Sequence, residues 1–336
     1  MAEAHTQLPA GSVVVTGGGG FLGSALVWEL NRHGYEDLLL VDAFGTGDKW
    51  KHLRALRFLD VLSPAEFLRR FTEDPAFAAT VGTVFHLGAC SATTERDMDY
   101  LLRNNYAYTR DLCAAARRAG SRFVYASSAA TYGAATGQQD EDPDTLDGLR
   151  PLNPYGYSKH LFDLHAHRSG FLAEIVGLKY FNVFGPHEDH KGEMRSMVRK
   201  AWEQVRAEGC IRLFRSYRPE YGDGEQERDF LYVKDAVRMT LHLAATPSAG
   251  GLYNLGSGEA RTWRDLASAV FAALGREERI EFIAMPPEIR DQYQYSTRAG
   301  IGRLRSTGYT APVTPLEDAI ADYLQNHLEP GRSLGE

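Results

Sequence analysis

The sequence contains no run of about 18 apolar residues, the length that a membrane-spanning helix requires. Its opening stretch, MAEAHTQLPA, also lacks the basic region followed by an apolar region that is typical of a secretory signal. We therefore expect a cytoplasmic protein that does not use a membrane as a partner.

Cysteine and clustered positive charge are also scarce. The net charge is -7, with both signs interspersed, so the chain offers no basic stripe for a nucleic-acid backbone. Cys90, Cys113 and Cys210 have neither zinc-site nor disulfide spacing. The acidic side chains within 188–193 are typical of a solvated loop rather than of metal ligands. The sequence thus predicts neither a nucleic-acid partner nor a metal.

Short apolar runs alternate with helical patterns along most of the 336 residues. Residues 12–17 and 37–42 read as buried strands, with a helical pattern over 26–34 that ends at a glycine. Further strands are predicted near residues 57 and 83, and over 122–128, 174–183 and 252–258. This alternation favours an α/β fold with a doubly wound parallel sheet covered on both faces.

The regular pattern loosens after about residue 185, so we expect a smaller mixed α/β C-terminal lobe that binds substrate. The predicted division is a dinucleotide-binding domain over 11–183, joined by strands from 228–258, and a substrate-binding lobe over 184–227 and 259–330.

A glycine-rich turn, VVVTGGGGFLGSALV, connects the first strand to the first helix. Gly17, Gly20 and Gly23 let the backbone turn tightly and let a pyrophosphate approach the helix N-terminus. Asp42 ends the second strand, where an acid can bind a ribose hydroxyl. The combination predicts a Rossmann-type site for a dinucleotide.

The charges near this turn leave the choice between NAD and NADP open. Asp42 favours NAD, because its carboxylate would repel a 2′-phosphate. Lys49 and Lys51 follow closely and could bind that phosphate.

The stretch NPYGYSKH, residues 153–160, carries the candidate reactive groups. Tyr155 and Lys159 are four residues apart and share a helix face, whereas Tyr157 lies elsewhere. Asn153 can cap this helix, and Ser128 ends the strand that precedes it. A lysine cation and an oxidised nicotinamide would lower the pKa of Tyr155 towards neutrality, and Ser128 would steady the substrate oxygen. The trio therefore predicts hydride transfer coupled to removal of a hydroxyl proton.

These residues resemble the extended short-chain dehydrogenase/reductase family, with its TGGxGFxG loop and Ser-Tyr-Lys trio. Stretches such as FHLGACSATTERD, YASSAATYG and YFNVFGPHEDHKGEM resemble, more narrowly, the epimerases that act on ADP-linked heptose. That resemblance implies an isomerase of lipopolysaccharide precursor synthesis that inverts carbon 6 of ADP-D-glycero-D-manno-heptose to the L-glycero form. It also implies a tightly bound NADP, a nucleotide-sugar substrate and a homo-oligomer.

The resemblance further implies roles for individual residues. The implied catalytic residues are Ser128, Tyr155, Lys159 and Lys191, of which Lys191 is a second acid/base. The implied cofactor ligands are Gly17, Gly20, Phe21, Leu22, Gly23, Asp42, Ala43, Lys49, Leu87, Gly88, Ala89, Cys90, Ser91, Asn104 (or Asn105), Tyr155, Lys159, Val183 and Lys191. The implied substrate ligands are Ser128, Asn182, Glu193, Phe214, Arg215, Arg228 and Tyr293.

Three other functions share some of these motifs. A 4,6-dehydratase is disfavoured, because Ala129 and Ala130 follow Ser128 where an acid pair would drive out water. A UDP-sugar 4-epimerase is the nearest alternative, and Lys191 argues against it. A non-catalytic dinucleotide-binding protein is a third, and the intact Ser-Tyr-Lys trio argues against that.

Overall fold

The structure, a computed structural model, describes residues 7–135, 137–290 and 293–336, without the side chains of residues 288 and 289. Residues 1–6, the start of the stretch expected to hold no secretory signal, lie outside this description.

Strands and helices alternate along the described chain. The strands are β1 Ser12–Thr16, β2 Leu38–Val41, β3 Asp60–Leu62, β4 Val81–His86, β5 Arg122–Ser128, β6 Gln138–Gln139, β7 Val176–Tyr180, β8 Asn182–Phe184, β9 Ile211–Phe214, β10 Glu227–Arg228, β11 Phe230–Tyr232, β12 Gly251–Leu255, β13 Arg261–Thr262, β14 Ile280–Ile283 and β15 Arg298–Ala299. The α-helices are α1 Phe21–Arg32, α2 Pro64–Glu73, α3 Pro75–Thr80, α4 Met98–Leu101, α5 Tyr108–Ala119, α6 Pro154–Arg168, α7 Met197–Glu208, α8 Val233–Ala245, α9 Trp263–Leu274, α10 Pro287–Arg290, α11 Gly302–Ser306 and α12 Leu316–Asp322.

Within the described chain, seven strands form one parallel sheet in the order β12-β7-β5-β4-β1-β2-β3. Its central strands are almost fully buried and rich in Val and Phe, as expected when helices cover both faces. The predicted doubly wound α/β fold is confirmed. Because all seven strands run the same way, their carboxyl ends meet at one edge, where open sheets of this kind bind ligands.

Local sequence explains where the helices that border this edge begin. Helix α6 starts at Asn153, whose side-chain oxygen accepts from the N–H of Gly156 at 2.7 Å, and Pro154 takes the first helical position. Helix α9 starts with a capping box between Thr262 and Asp265.

Three predicted elements differ from the structure. The strand predicted over 174–183 is divided into β7 and β8, and only β7 joins the main sheet. The third strand begins at Asp60 rather than near residue 57, because its pairing with β2 starts only at Leu39 and Asp60. The first helix begins at Phe21 instead of residue 26, and it ends at Arg32, just before Gly34 in the left-handed conformation. The glycine turn is therefore shorter, and the helix N-terminus lies directly against it.

The remaining strands pair in twos outside the main sheet. β8 pairs with β11, β9 with β14, β10 with β13, and β6 with β15. Of the strands expected from 228–258, β12 joins the main sheet whereas β10 and β11 belong to these small pairs. The exact division into a dinucleotide domain and a substrate lobe stays a prediction.

Candidate active site

The glycine turn between β1 and α1 leaves no room for side chains. A Cβ on Gly23 would lie 1.9 Å from the carbonyl oxygen of Gly17, and one on Gly17 would lie 2.7 Å from Cα of Gly88. Gly17 also has a φ of 70°, which favours glycine. The backbone can therefore approach a pyrophosphate at the free N–H groups of the helix terminus, and this cradle fits a dinucleotide.

Asp42, at the end of β2, is neutralised by a neighbouring cation. Its carboxylate accepts from the N–H groups of Gly19 (2.8 Å) and Ala43 (2.7 Å) and pairs with Nζ of Lys49 at 2.5 Å. Lys51 instead pairs with Asp48 on the surface. Of the two candidate lysines, only Lys49 faces the site.

The predicted trio lines one cavity of about 790 Å³ at the carboxyl edge of the sheet. Tyr155 and Lys159 are buried on the inner face of α6, whereas Tyr157 is 46% exposed on the outer face. Nζ of Lys159 donates to the carbonyl of Ala126 on β5 at 2.9 Å, and Ser128 ends that strand. The helix period and the strand end thus bring the three side chains to one place.

Burial disfavours the charged forms of both Tyr155 and Lys159. It raises the pKa of Tyr155, and the nearby Ser128 hydroxyl opposes that rise. It lowers the pKa of Lys159 from 10.5 to about 8, with the carboxylate of Asp163 acting in the opposite direction. A cationic neighbour is therefore needed before Tyr155 can act as a base near neutral pH.

Lys191 lines the same cavity, in the loop that follows β8. Its ammonium lies 5.2 Å from the ring centre of Phe21, the first residue of α1. Burial lowers the pKa of Lys191, and the carboxylate of Glu188 opposes the shift. Glu188 itself is fully buried and accepts hydrogen bonds from the backbone and hydroxyl of Ser196. A buried lysine whose pKa is lowered is suited to proton transfer.

Asn104 and Asn105, the two alternatives for a cofactor ligand, have different surroundings. A π-helical turn over Leu102–Ala107 joins α4 to α5 and contains both Asn104 and Asn105. Asn105 is buried, exchanges hydrogen bonds of 2.9 Å with the backbone N–H and carbonyl of Cys90, and donates to Ser158 at 3.0 Å. It ties the loop after β4 to α6. Asn104 does not line the cavity, and its amide donates to Asn105.

The other predicted residues fall into two groups. Those that line the cavity are Gly17, Gly20, Phe21, Leu22, Gly23, Asp42, Lys49, Leu87, Gly88, Ala89, Cys90, Ser91, Asn182 and Val183. Those that do not line it are Ala43, Asn104, Glu193, Phe214, Arg215, Arg228 and Tyr293. Glu193 is exposed and pairs with Lys200, and Arg215 is exposed beside Asp223.

Arg228 and Tyr293 lie behind a tryptophan that does line the cavity. The guanidinium of Arg228 is 5.6 Å from the ring of Trp263 and 5.0 Å from that of Tyr293, and the indole N–H of Trp263 donates to the Tyr293 hydroxyl at 2.9 Å. Phe214 packs edge-on against Tyr293. Within the described parts of the chain no carboxylate pairs with Arg228, although it is buried. Such a guanidinium is available to an anion.

Sequence reasoning missed several cavity residues, among them His190, Trp263 and Gln294. His190 directly precedes Lys191, so the same motif could have indicated it. Trp263 opens α9 in a segment distant along the chain, and no local pattern connects it with the trio.

Two other kinds of feature are absent from the described residues. No group of three or more His, Cys, Asp or Glu side chains that could hold a metal occurs within 7–135, 137–290 and 293–336. None of the helices in those ranges has both the length and the apolar character needed to cross a bilayer.

Comparison with known proteins places this site in a family. A protein of Nitratidesulfovibrio vulgaris named ADP-L-glycero-D-manno-heptose-6-epimerase is 49% identical over 315 residues, covering 94% of this chain and 97% of its own. The crystal structure of the Helicobacter pylori protein of the same name has a TM-score of 0.79 at 27% identity, covering 96% of this chain and 97% of its own.

A third relative is the Thermus thermophilus UDP-glucose 4-epimerase, solved in complex with NAD. It has a TM-score of 0.74 at 27% identity and covers 96% of this chain and all of its own. Residues 13–256, from β1 to the end of the main sheet, match the family described as the NAD dependent epimerase/dehydratase family. The chain belongs to that NAD dependent epimerase/dehydratase family.

Proposed function

We propose that this protein is an isomerase that inverts carbon 6 of the heptose in ADP-D-glycero-D-manno-heptose and yields the L-glycero epimer, a precursor of the lipopolysaccharide core. The observation that carries the proposal is the presence of Ser128, Tyr155, Lys159 and Lys191 in one cavity of a chain that is 49% identical, nearly end to end, to a protein named for that reaction. The substrate is a nucleotide sugar.

The cofactor is a nicotinamide dinucleotide, in keeping with the family description and with the NAD held by the Thermus thermophilus relative. We favour NADP over NAD. Lys49 already neutralises Asp42 at 2.5 Å, which reduces the repulsion of a 2′-phosphate, and its ammonium lies in the cavity. Lys49→Met should therefore weaken NADP binding more than NAD binding, with Lys51→Met as the control. Equal weakening of both cofactors would contradict this choice.

Bound in the cavity, the dinucleotide supplies the chemistry of taking a hydride from carbon 6 and returning it. Tyr155 removes the proton of the carbon 6 hydroxyl, helped by the positive charge of Lys159 on the same face of α6. Ser128 donates a hydrogen bond to the same oxygen. The resulting ketone turns over, and Lys191 provides the proton when the opposite face is reduced. Arg228 and Tyr293 lie outside the cavity lining, beside Trp263, and by the resemblance we assign them to the diphosphate part of the substrate, which does not react.

We further propose that the protein works as a homo-oligomer in the cytoplasm, in line with the resemblance of its motifs to this group of epimerases. Sedimentation of the purified protein would test the assembly, and a monomer at working concentration would overturn it.

The deciding experiment follows ADP-D-glycero-D-manno-heptose by proton NMR with purified protein and no added cofactor, beside Tyr155→Phe and Lys191→Met. Conversion by the wild type that is lost in both variants would support the reaction, a retained dinucleotide and two acid/base groups. An unchanged spectrum from protein that contains bound dinucleotide would refute the heptose substrate, and UDP-sugars would be tested next.

A further inference from the structure

Three histidines from two distant segments pack against the glycine turn. His52 belongs to a short helical turn after β2, whereas His187 and His190 belong to the loop after β8. The rings of His52 and His187 are stacked, with centres 4.7 Å apart and planes 6° apart. His190 meets His52 edge-on at 5.0 Å and lines the cavity. We call these three residues the histidine stack.

Hydrogen bonds define which ring nitrogens of His187 carry a proton. The backbone N–H of Leu334 donates to Nε2 at 3.0 Å, so that nitrogen accepts. Nδ1 must then hold the proton and donate it to Oγ of Ser24 at 2.8 Å, and the Ser24 hydroxyl donates to the carbonyl of Gly20 at 2.6 Å. The arrangement requires an uncharged ring.

His52 contacts the next carbonyl of the same turn. Its Nδ1 donates to the carbonyl of Gly19 at 2.9 Å. The peptide groups of Gly19 and Gly20 are thus both oriented by the histidine stack, one directly and one through Ser24. These are the peptides that lead into the phosphate-facing N-terminus of α1.

His187 also has an unusual backbone. Among the described residues it is the one non-glycine residue with positive φ, at 78°. Such a conformation persists only where the surroundings enforce it, and here the stacked ring and its two hydrogen bonds do so. Lys191 follows four residues later and lies against Phe21, the residue after Gly20. The loop that carries Lys191 is therefore attached to the cofactor turn through His187.

We propose that the histidine stack is a positioning unit that couples cofactor retention to the placement of Lys191 and that functions only while its rings are uncharged. The part of this inference that concerns Lys191 rests on the proposed function. The part that concerns retention of the cofactor does not depend on it. His52 and His187 position the turn and the loop through their hydrogen bonds, and His190 packs edge-on against His52.

Burial is the main effect that opposes protonation of the stack, whereas the carboxylates of Asp42 and Asp189 favour protonation of His52. Burial, the other histidines and His327 lower the pKa of His187 well below 6.5, and burial lowers that of His52 and brings that of His190 to about 4. The charged groups that face the stack are Asp42, Lys49, Asp189, Lys191 and His327.

The pKa shifts give the direction of the pH effect. Because the folded pKa values lie below 6.5, the unfolded or opened state binds more protons as the pH falls below about 6.5. The closed geometry is therefore unaffected above that pH and is lost progressively below it.

The test measures release of NADPH, followed by its fluorescence, from loaded protein at about pH 7.5 and about pH 5.5, on either side of the ordinary histidine pKa. No sugar nucleotide is present, so the result does not depend on the heptose assignment. At pH 7.5 His187→Phe, which keeps an aromatic ring but no hydrogen bonds, should release NADPH at least about fivefold faster, the factor for one lost hydrogen bond. His167→Phe on α6 is the matched control and should behave as wild type.

The wild type should release NADPH faster at pH 5.5, and His187→Phe should lose most of that pH dependence. Combining His187→Phe with Lys191→Met should give less than the product of the single effects, because the two residues act through one loop. Release from the wild type that is unchanged between the two pH values would overturn the proposal, whether or not the variants fold. The proposal would also be overturned if the effects of His187→Phe and Lys191→Met on the rate of NADPH release multiplied in the double variant.

Discussion

Lys179 and Asp163 form an ion pair of 2.9 Å, with both side chains completely buried beneath the helix that carries Tyr155 and Lys159. Asp163 lies one turn after Lys159 on α6, and its carboxylate also accepts from Tyr125 and Ser127 on β5, both at 2.8 Å. Lys179 on β7 further donates to Thr131 at 2.6 Å. The pair joins α6, β5 and β7 at the level of the reactive groups.

Removing one partner of this pair should destabilise the protein strongly. We expect Lys179→Met to lower the free energy of unfolding by about 3–5 kcal/mol, because it leaves the Asp163 charge buried without compensation. The double variant Lys179→Met with Asp163→Leu should recover much of that loss. Urea denaturation measures both, and a single variant within about 1 kcal/mol of wild type would contradict a desolvated pair.

The pH profile of turnover should report the charge of Lys159. Since burial lowers its pKa to about 8, the ammonium that assists Tyr155 is lost as the pH rises through that value, and kcat should fall there. Asp163→Asn, combined with Lys179→Met so that no buried charge is left unpaired, removes a carboxylate that favours the charged form, so the midpoint should move to lower pH. Tyr157→Phe changes an exposed side chain and should leave the profile unaltered. A wild-type rate that stays level to about pH 10, near the ordinary lysine pKa, would contradict this role.

Gly23→Ala should impair dinucleotide binding. Its Cβ would meet the carbonyl of Gly17 at 1.9 Å, so the glycine turn must shift. Overpacking of about 1–3 kcal/mol corresponds to a loss of NADPH affinity of about 5- to 150-fold. Gly302→Ala, where no atom lies within 4 Å of the new Cβ, is the control. Fluorescence titration with NADPH measures the affinity of both variants. Equal affinities would show that a side chain at position 23 does not obstruct the cofactor.

Arg228→Met should raise the KM for the ADP-sugar while leaving NADPH retention unchanged. A charge-assisted hydrogen bond to a diphosphate contributes about 1.5–3 kcal/mol, or about tenfold or more in KM. Arg118→Met, on the exposed end of α5, provides the matched loss of charge. Steady-state kinetics measure this KM. If it is unchanged, Arg228 only packs between Trp263 and Tyr293 and does not bind the substrate.

The sequence alone was sufficient where a short pattern determines geometry. The four-residue spacing of Tyr155 and Lys159, the Asn153 cap and the glycine turn each specify local backbone, and their strands share an edge because the sheet is parallel. The α/β fold and the meeting of the trio in one cavity follow from these features.

Contacts between distant segments could not be predicted in the same way. The stacking of His52 on His187, the C-terminal contact at Leu334 and the placement of Trp263 depend on tertiary packing that no periodicity encodes. For Arg215 the error is in the opposite direction. A motif indicated that it binds substrate, but the structure leaves it exposed beside Asp223.

The place of β12 in the sheet has a consequence for synthesis of the chain. It pairs with β7, yet residues 181–250 come between the two strands. While the ribosome makes this stretch, one edge of β7 has no partner, and unpaired strand edges promote aggregation. That edge of β7 stays unpaired until β12, which ends at Leu255, has been synthesised, so we expect the nascent chain to be most prone to aggregation during this interval.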